Sequence, residues 1–231
     1  MQGMLLTDKP AGWTSFDVVN YVRHIVANAE GKKPKNVKVG HTGTLDPFAT
    51  GLLVLLIGKE YTRKAEGLTK LDKTYEMTMR LGQTSTTGDP EGELMDVSGA
   101  VPSLDALQAA VSQFSGVISQ VPPAFSAIKI DGQRAYKLAR EGKEVVIEPR
   151  SVTVNRLQII DYSYPDVKLV ADVSSGTYIR TLSVDIGRVL KTGAYTTELR
   201  RTKVGDFDIK DAVQVEGLTT EAIYGALTTI D

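Results

Sequence analysis

The chain contains no cysteine and only two histidines among its 231 residues. The absence of cysteine excludes disulfides, cysteine nucleophiles and thiolate zinc sites, including the Cys-Cys-His centre of zinc-dependent base deaminases. A metal bound by carboxylates alone stays open, although no dense acidic cluster indicates one. Any catalysis by this chain therefore has to come from other side chains.

Long hydrophobic runs are also absent. The most apolar run, from Leu52 to Ile57, is far shorter than the roughly 20 residues that a helix needs to cross a bilayer. The N-terminus lacks the basic and apolar regions of a signal peptide, so we expect a cytoplasmic protein without a membrane partner. With 42% hydrophobic and 24% charged residues, the composition is globular, and the length suits one large domain or two small ones.

The formal net charge is −1, but positive charge lies in two blocks. Residues 1–80 carry 12 Lys and Arg against 8 Asp and Glu, and residues 129–210 carry 15 against 11. If these blocks fold together, they form a basic face for a polyanion such as RNA. Swings of this size also arise by chance in globular proteins, so charge alone leaves RNA binding as the minority interpretation.

Strand and helix patterns alternate without a regular βαβ rhythm, which favours an α+β class. The stretch 83–99 is polar and predicts an irregular connection. No internal repeat or linker divides the chain. The predicted strands cover 3–7, 74–81, 125–130, 151–160, 166–173 and part of 197–209, and the predicted helices begin near 14, 103, 133 and 178.

Three of these segments have a clear periodicity. Strict alternation over 74–81 predicts a half-buried strand with Tyr75 on its buried face. Thr14 and Ser15 are predicted to cap a helix, and Ser103 a second one. Residues 49–57 fit a buried strand or a short helix equally well. The apolar faces of the two capped helices are predicted to carry Phe16, Val19, Val22 and Val26 in the first and Leu104, Leu107, Val111 and Phe114 in the second.

The segment around Asp46 is the most unusual in the chain. Gly40 and Gly43 allow tight turns, and Pro47 biases Asp46 away from helix, so the carboxylate is presented from a loop. Neither the Walker A pattern nor the dinucleotide fingerprint is present. Taken alone, an Asp-Pro pair is most often only a turn.

A wider pattern changes this interpretation. Residues 40–53 read GHTGTLDPFATGLL, and six further motifs, one before this segment and five after it, cover nearly the whole chain. Together they resemble the TruB family of tRNA pseudouridine-55 synthases, whose signature is matched at every fixed position of 40–53. The other motifs are DKPAGWTS over 8–15, KTYE over 73–76, QVPPAFSAIK over 120–129, GQRAYKLAR over 132–140, SSGTYIR over 174–180 and LRRT over 199–202.

The resemblance implies a pseudouridine synthase fold. This is an α+β fold in which a mixed, largely antiparallel central sheet, with flanking helices and loops, forms an RNA-binding cleft. It implies a single catalytic domain over 1–231, in which 120–150 is a possible mobile insertion that clasps RNA. Many family members also carry a C-terminal RNA-binding PUA domain, and we expect none here, whether naturally or by truncation.

The resemblance also implies an activity, the conversion of uridine 55 in the T-arm of transfer RNA to pseudouridine. This isomerisation involves no redox change and no external group, so no cofactor or metal is expected. Asp46 is implied as the nucleophile, with the atom that it attacks left open, and Arg180 as the partner that keeps its carboxylate ionised and oriented. Tyr75 is implied to stack on the uracil. Without the family context, Arg180 is an exposed helix residue and Tyr75 a core residue.

The remaining implied roles concern RNA binding. His41 is implied to support the flipped-out nucleotide and Leu199 to contact the other side of the base, although Leu199 alone is simply a buried leucine. Lys38 is implied to contact phosphate. For the basic residues, simple solvation is about as good an interpretation. Transfer RNA is the expected partner of a monomer that needs no other protein, and the further RNA contacts are Lys129, Arg134 and Arg140.

Two other functions are alternatives for this sequence. An RNA-binding or RNA-folding module without turnover would not require Asp46, Tyr75 and Arg180 together, so their joint presence favours catalysis. A synthase of the archaeal–eukaryotic guide-RNA type shares these motifs, but such proteins normally need partner proteins and their own C-terminal RNA-binding domain.

Overall fold

The computed structural model describes residues 1–126, 128–130, 132–143 and 145–229, with residues 129, 130 and 140 described by their backbone only. Strands and helices are interspersed along this part of the chain. The strands are β1 (Gly3–Lys9), β2 (Val39–His41), β3 (Thr50–Ile57), β4 (Lys73–Leu81), β5 (Gln83–Ser85), β6 (Leu94–Asp96), β7 (Gly116–Gln120), β8 (Lys129–Ile130), β9 (Gln133–Arg134), β10 (Arg150–Ser163), β11 (Asp166–Val173), β12 (Ala194–Val204), β13 (Phe207–Asp208) and β14 (Val213–Gln214).

Most of the helices are short. Two 3-10 turns, Pro34–Asn36 and Ile209–Asp211, accompany them. In the described residues, no helix has the length and apolar character needed to span a membrane. The α-helices are α1 (Ser15–Ala29), α2 (Lys59–Arg63), α3 (Ala65–Thr69), α4 (Leu104–Ser112), α5 (Ala135–Arg140), α6 (Ile179–Leu190) and α7 (Thr220–Ala226).

The chain divides into two compact units. The first unit contains residues 1–75 and 199–231, and the second contains residues 76–198. The chain leaves the first unit within β4 and returns to it within β12. The single-domain assignment made from the sequence stays a prediction.

The first unit is built around β3. Strand β1 pairs antiparallel with one edge of β3 along its full length, from Gly3 opposite Ile57 to Lys9 opposite Gly51. The other edge of β3 pairs antiparallel with β2 at its end and parallel with β12 at its start. Strand β14 pairs parallel with β1, and β13 pairs antiparallel with β12. The mixed, largely antiparallel character predicted for the sheet is confirmed.

Residues 50–57 form a strand, which resolves the ambiguity left by periodicity. Every residue of β3 from Gly51 to Ile57 is buried, so both faces of the strand are covered and no alternation appears in its sequence. Leu52, Val54 and Leu56 belong to a core cluster with Met4 and Val204. This cluster anchors the strand that follows the Asp46 segment.

Helix α1 has the predicted N-terminus but a different buried face. Thr14 is the N-cap, and Thr14 and Asp17 form a reciprocal capping box. The prediction that Phe16 belongs to the apolar face is wrong, because 58% of Phe16 is exposed. Residues 15, 18, 19, 22 and 26 follow one side of a 3.6-residue helix, and Phe16 lies about 100° away from them. The Arg23 guanidinium lies 5.7 Å from the centre of the Phe16 ring instead.

The second unit contains a sheet in the order β4-β11-β10-β7, with antiparallel pairing of β10 to β11 and to β7. The alternation predicted for β4 is confirmed, except that Thr78 is also buried and donates to Glu198 Oε2 at 2.9 Å. Ser103 caps α4 as predicted, and α4 contacts α6 and β10. Leu107 and Val111 are buried in α4, but the prediction for Leu104 is wrong because its side chain is 48% exposed.

Some predicted boundaries were wrong. The connection 83–99 contains the hairpin of β5 and β6, and only residues 129–130 of the strand predicted over 125–130 are extended in a strand. The last long strand begins at Ala194, three residues earlier than predicted. Strand β12 pairs with β3, which is distant in the sequence, and local patterns do not contain such pairing.

Candidate active site

Asp46 lies in the loop that joins β2 to β3. Residues 44–46 have no regular structure, and the Asp46 carbonyl accepts a hydrogen bond from Ala49 N at 3.1 Å. Strands β2 and β3 are antiparallel neighbours, and the loop between them is eight residues long. Asp46 is half-buried there, so the sequence prediction that a loop presents this carboxylate is confirmed.

Arg201 holds the first part of this loop. Its side chain is only 2% exposed, and the guanidinium donates to the carbonyls of Leu52 at 2.7 Å, Gly43 at 3.0 Å and Thr44 at 3.5 Å. Gly51 faces Arg201 in the β3–β12 pair, and a Cβ added to Gly51 would lie 2.3 Å from the Arg201 carbonyl oxygen. The backbones therefore approach so closely that only glycine fits at position 51.

Lys9 holds the part of the loop that follows Asp46. Its side chain is fully buried, and Nζ donates to the carbonyls of Pro10, Trp13 and Pro47 at 2.8, 2.6 and 3.2 Å. The Pro47 carbonyl also accepts from Gly12 N at 2.8 Å. A charged donor to a carbonyl makes a stronger hydrogen bond than a neutral one, so Lys9 restricts the chain beside Asp46.

Lys73 is a second buried lysine in this unit. Its Nζ donates to the carbonyls of Thr69 and Leu71. Burial, followed by the positive charge of Arg201, lowers the pKa of Lys73 to about 8. Lys73 begins β4, two residues before Tyr75, the predicted stacking residue.

Tyr75 and Leu199 are both buried strand residues of the first unit. Tyr75 is the third residue of β4, and Leu199 precedes Arg200 and Arg201 in β12. Each side chain is about nine-tenths buried. This burial agrees with a place in the core, and it agrees equally with contact to a substrate base through the exposed part of the side chain. Their roles toward a substrate base stay predictions.

Lys38 precedes β2, and His41 is its last residue. His41 ends the strand opposite Leu55 and is half-buried. Lys38 is exposed, and its carbonyl accepts from Gly58 N at 2.8 Å. These positions agree with RNA contacts, which stay predictions.

Arg180 lies in the second unit, in the first turn of α6, and forms a buried ion pair with Asp89. Arg180 and Asp89 are 4% and 3% exposed, and Nη1 lies 3.0 Å from Asp89 Oδ2. The guanidinium also donates to the carbonyls of Thr87 at 3.0 Å and Phe125 at 2.8 Å. The interpretation of Arg180 as an exposed helix residue is thereby excluded. Its pairing with Asp46 stays a prediction.

Asp89 is held by donors of its own. Its Oδ1 accepts from Thr87 Oγ1 at 2.5 Å and from Glu91 N at 3.0 Å. Sequence reasoning missed Asp89, because it was treated as part of a polar connection. The available signal was Gly88-Asp89-Pro90, which repeats the Asp-Pro pattern of Asp46-Pro47.

Gln120 fixes the start of α6. Its side chain is almost fully buried, and its amide donates to the Tyr178 carbonyl at 3.1 Å and accepts from Tyr178 N at 2.8 Å. Tyr178 is the N-cap of α6, so these two bonds hold the residue at which the helix begins, two positions before Arg180. Gln120 was recognised only as part of a motif, and no role was assigned to it.

The predicted clasping segment contains the hairpin of β8 and β9 followed by α5. Arg134 ends β9 and is exposed. The side chains of Lys129 and Arg140 lie outside the described residues. The roles of these three residues in RNA binding, and the clasping itself, stay predictions. Among the residues that the structure describes, no three His, Asp or Glu side chains form a possible metal-binding group.

Two family models match the chain. The model described as "TruB family pseudouridylate synthase (N terminal domain)" matches residues 31–179, and "tRNA pseudouridylate synthase B C-terminal domain" matches residues 180–227. A protein named "tRNA pseudouridine synthase B" from Pseudomonas syringae pv. syringae is 45% identical over 231 residues, which is 100% of this chain and 73% of that protein. The protein of the same name from Pseudomonas aeruginosa (strain UCBPP-PA14) is 44% identical over the same shares.

Solved structures are similar as well. A chain in "Crystal Structure of a Cbf5-Nop10-Gar1 Complex" is 28% identical with a TM-score of 0.72, over 98% of this chain and 60% of that one. A chain in "Structure of H/ACA RNP bound to a substrate RNA containing 2'-deoxyuridine" is 28% identical with a TM-score of 0.66, over 94% of this chain and 52% of that one. This chain therefore spans about half of the latter chain. The predicted synthase fold is confirmed, and the chain belongs to the TruB family of pseudouridylate synthases.

Proposed function

We propose that the chain is a tRNA pseudouridine synthase that converts uridine 55 in the T-arm of transfer RNA to pseudouridine. The observation that carries the proposal is the 45% identity to tRNA pseudouridine synthase B over the full length of the chain. The loop geometry around Asp46 supports it, since buried donors hold the backbone on both sides of that carboxylate.

The reaction is an isomerisation. The bond between N1 of uracil and C1′ breaks, the base turns, and C5 joins C1′, while C5 loses a proton and N1 gains one. Atoms and electrons balance without a redox partner, so no cofactor is required. An ionised and oriented carboxylate is a competent nucleophile or base for such a step. Asp46 therefore attacks the sugar, attacks the base or abstracts a sugar proton.

The substrate base has to leave its stack before a carboxylate can reach it. We infer that the target uridine flips out, that Tyr75 and Leu199 contact its two faces and that His41 supports the displaced nucleotides. Arg180 orients the Asp46 carboxylate and favours its ionised form. Lys38, Lys129, Arg134 and Arg140 contact the phosphates of the stem.

A guide-RNA synthase is the second candidate. The similarity to chains in the Cbf5 complex and in the H/ACA particle favours it, whereas the higher identity to tRNA pseudouridine synthase B favours a stand-alone enzyme. We propose the stand-alone enzyme, which acts as a monomer without another protein. Turnover of a T-arm stem-loop by the purified chain alone separates the two.

Pseudouridine and uridine have the same mass, so a mass measurement does not distinguish them. The test therefore measures tritium release from C5-labelled uridine in a T-arm stem-loop, since C5 loses its proton in the reaction. We expect release by the native chain and none by Asp46→Asn, while both bind the stem-loop with similar Kd. Asp206→Asn, at an exposed aspartate of the same unit, is the matched control and should release tritium at the native rate. Release that persists in Asp46→Asn would overturn the assignment of the nucleophile.

A further inference from the structure

Ser15 makes two hydrogen bonds to the residue that directly precedes Asp46. Its hydroxyl accepts from Leu45 N at 2.8 Å and donates to Leu45 O at 3.1 Å. Ser15 is 2% exposed and Leu45 is 3% exposed, so water does not compete for these groups. One side chain therefore satisfies both backbone polar groups of a buried residue in a loop that has no regular structure.

The hydroxyl of Ser15 is not needed to begin its helix. Ser15 is the first residue of α1, but the N-cap is Thr14, whose capping box with Asp17 satisfies the helix terminus. Within the described residues, both partners of the Ser15 hydroxyl lie on Leu45. The role of this side chain is therefore to tie α1 to the Asp46 loop.

Helix α1 is a fixed reference for that loop. Its valines at positions 18, 19, 22 and 26 are buried, so the first turn that carries Ser15 is held by the core of its unit. On the other side of Asp46, the Pro47 carbonyl is held by Gly12 N at 2.8 Å and by Lys9 Nζ at 3.2 Å. The two residues that flank Asp46, Leu45 and Pro47, are thus both held by hydrogen bonds from the segment 9–15.

We propose that Ser15 is a positioning residue for the isomerisation, and that its hydroxyl sets the direction in which the Asp46 side chain leaves the loop. The proposal rests on the proposed function of Asp46. A reacting group displaced by about 1 Å loses on the order of 100-fold in rate, so loss of one of the two anchors lowers the rate without removing the carboxylate. Binding of RNA, which depends on other surfaces, is unchanged.

The experiment compares three substitutions in single-turnover tritium release with enzyme in excess over a T-arm stem-loop. Ser15→Ala removes the hydroxyl, Ser15→Cys keeps the volume with a weaker hydrogen-bonding group, and Ser15→Thr keeps the hydroxyl. We expect rates in the order Ser15→Thr, Ser15→Cys, Ser15→Ala, with Ser15→Ala about tenfold or more below the native chain. The Kd for the stem-loop should stay within about twofold of the native value, as expected for a group that acts on orientation alone.

Ser112→Ala is the matched control, because Ser112 is an exposed helix residue whose hydroxyl donates to Ala109 O at 2.9 Å. It should leave the rate and the Kd at native values. A native rate in folded Ser15→Ala overturns the proposal, and so does a rate in folded Ser15→Thr that is as low as in Ser15→Ala. If Ser15→Ala does not fold, a native rate in Ser15→Cys overturns it. Asp46→Asn is measured alongside, since tritium release by that variant refutes the proposed nucleophile whatever the Ser15 variants do.

Discussion

Arg180 and Asp89 show how one residue depends on another that is distant in the sequence. A guanidinium buried to this extent requires an anion, because an unpaired buried charge loses its hydration without compensation. Asp89 provides the charge, while Thr87 and Phe125 provide neutral acceptors. The orientation of Arg180 is therefore set within the second unit, before any substrate binds.

Asp89→Asn tests this dependence. The amide keeps the shape of the side chain but removes the negative charge of the buried ion pair with Arg180. We expect a loss of about 3 kcal/mol in the free energy of unfolding, measured with urea at neutral pH, together with slower tritium release. Asp161→Asn, at an exposed aspartate of the same unit, should change stability by less than about 0.5 kcal/mol. Equal stability of the two variants would show that the buried pair contributes nothing.

At the scale of elements, the packing of β3 against β12 depends on one glycine. Gly51 has φ of 104°, and an added Cβ would lie 2.3 and 2.7 Å from the carbonyl oxygen and the backbone nitrogen of Arg201. Neither atom can move without breaking the pairing that also places Arg201 under the Asp46 loop. A substitution at Gly51 is therefore expected to displace Arg201 and, with it, the Asp46 loop.

Gly51→Ala and Gly217→Ala separate backbone strain from the clash. Gly217 also has a positive φ, of 73°, but a Cβ there meets nothing within 4 Å. Both substitutions incur the left-handed backbone cost of about 1–2 kcal/mol. We expect Gly51→Ala to lose at least about 2 kcal/mol more in the free energy of unfolding than Gly217→Ala, in urea titrations of both. Similar losses of stability in the two variants would mean that β3 and β12 move apart easily enough to accommodate the added Cβ.

The sequence predicted those elements that have a clear local signal. The alternation of β4 and the cap of α1 were both recognisable, since each depends on neighbouring residues. Phe16 was misplaced because the buried face of α1 begins with a polar residue, Ser15, whose burial comes from its bonds to Leu45. The Gln120 and Asp89 contacts join residues 58 and 91 positions apart, and no local pattern encodes such distances.

At the scale of the whole molecule, the net charge of −1 conceals a local basic surface. The turn Pro34–Asn36 leads into β2, and α2 packs on β2 with Thr62 Cγ2 3.7 Å from the Cβ position of Gly40. Both segments expose their cations, and we call this group the basic border of β2. Its members are Lys33, Lys35, Lys38, Lys59 and Arg63.

RNA binding through this border should depend steeply on salt. Each phosphate that a cation neutralises releases about 0.9 counterion from a duplex, so a plot of log Kd against log salt steepens with each contact. We expect Lys38→Gln to reduce that slope by about 0.9 for a T-arm stem-loop and to weaken binding most at low salt. Lys70→Gln is the control, because Lys70 already pairs with Glu66 at 2.8 Å and should leave the slope unchanged. A slope near zero for the native chain would contradict the basic border as an RNA-binding surface, because the slope measures the counterions that phosphate contacts release.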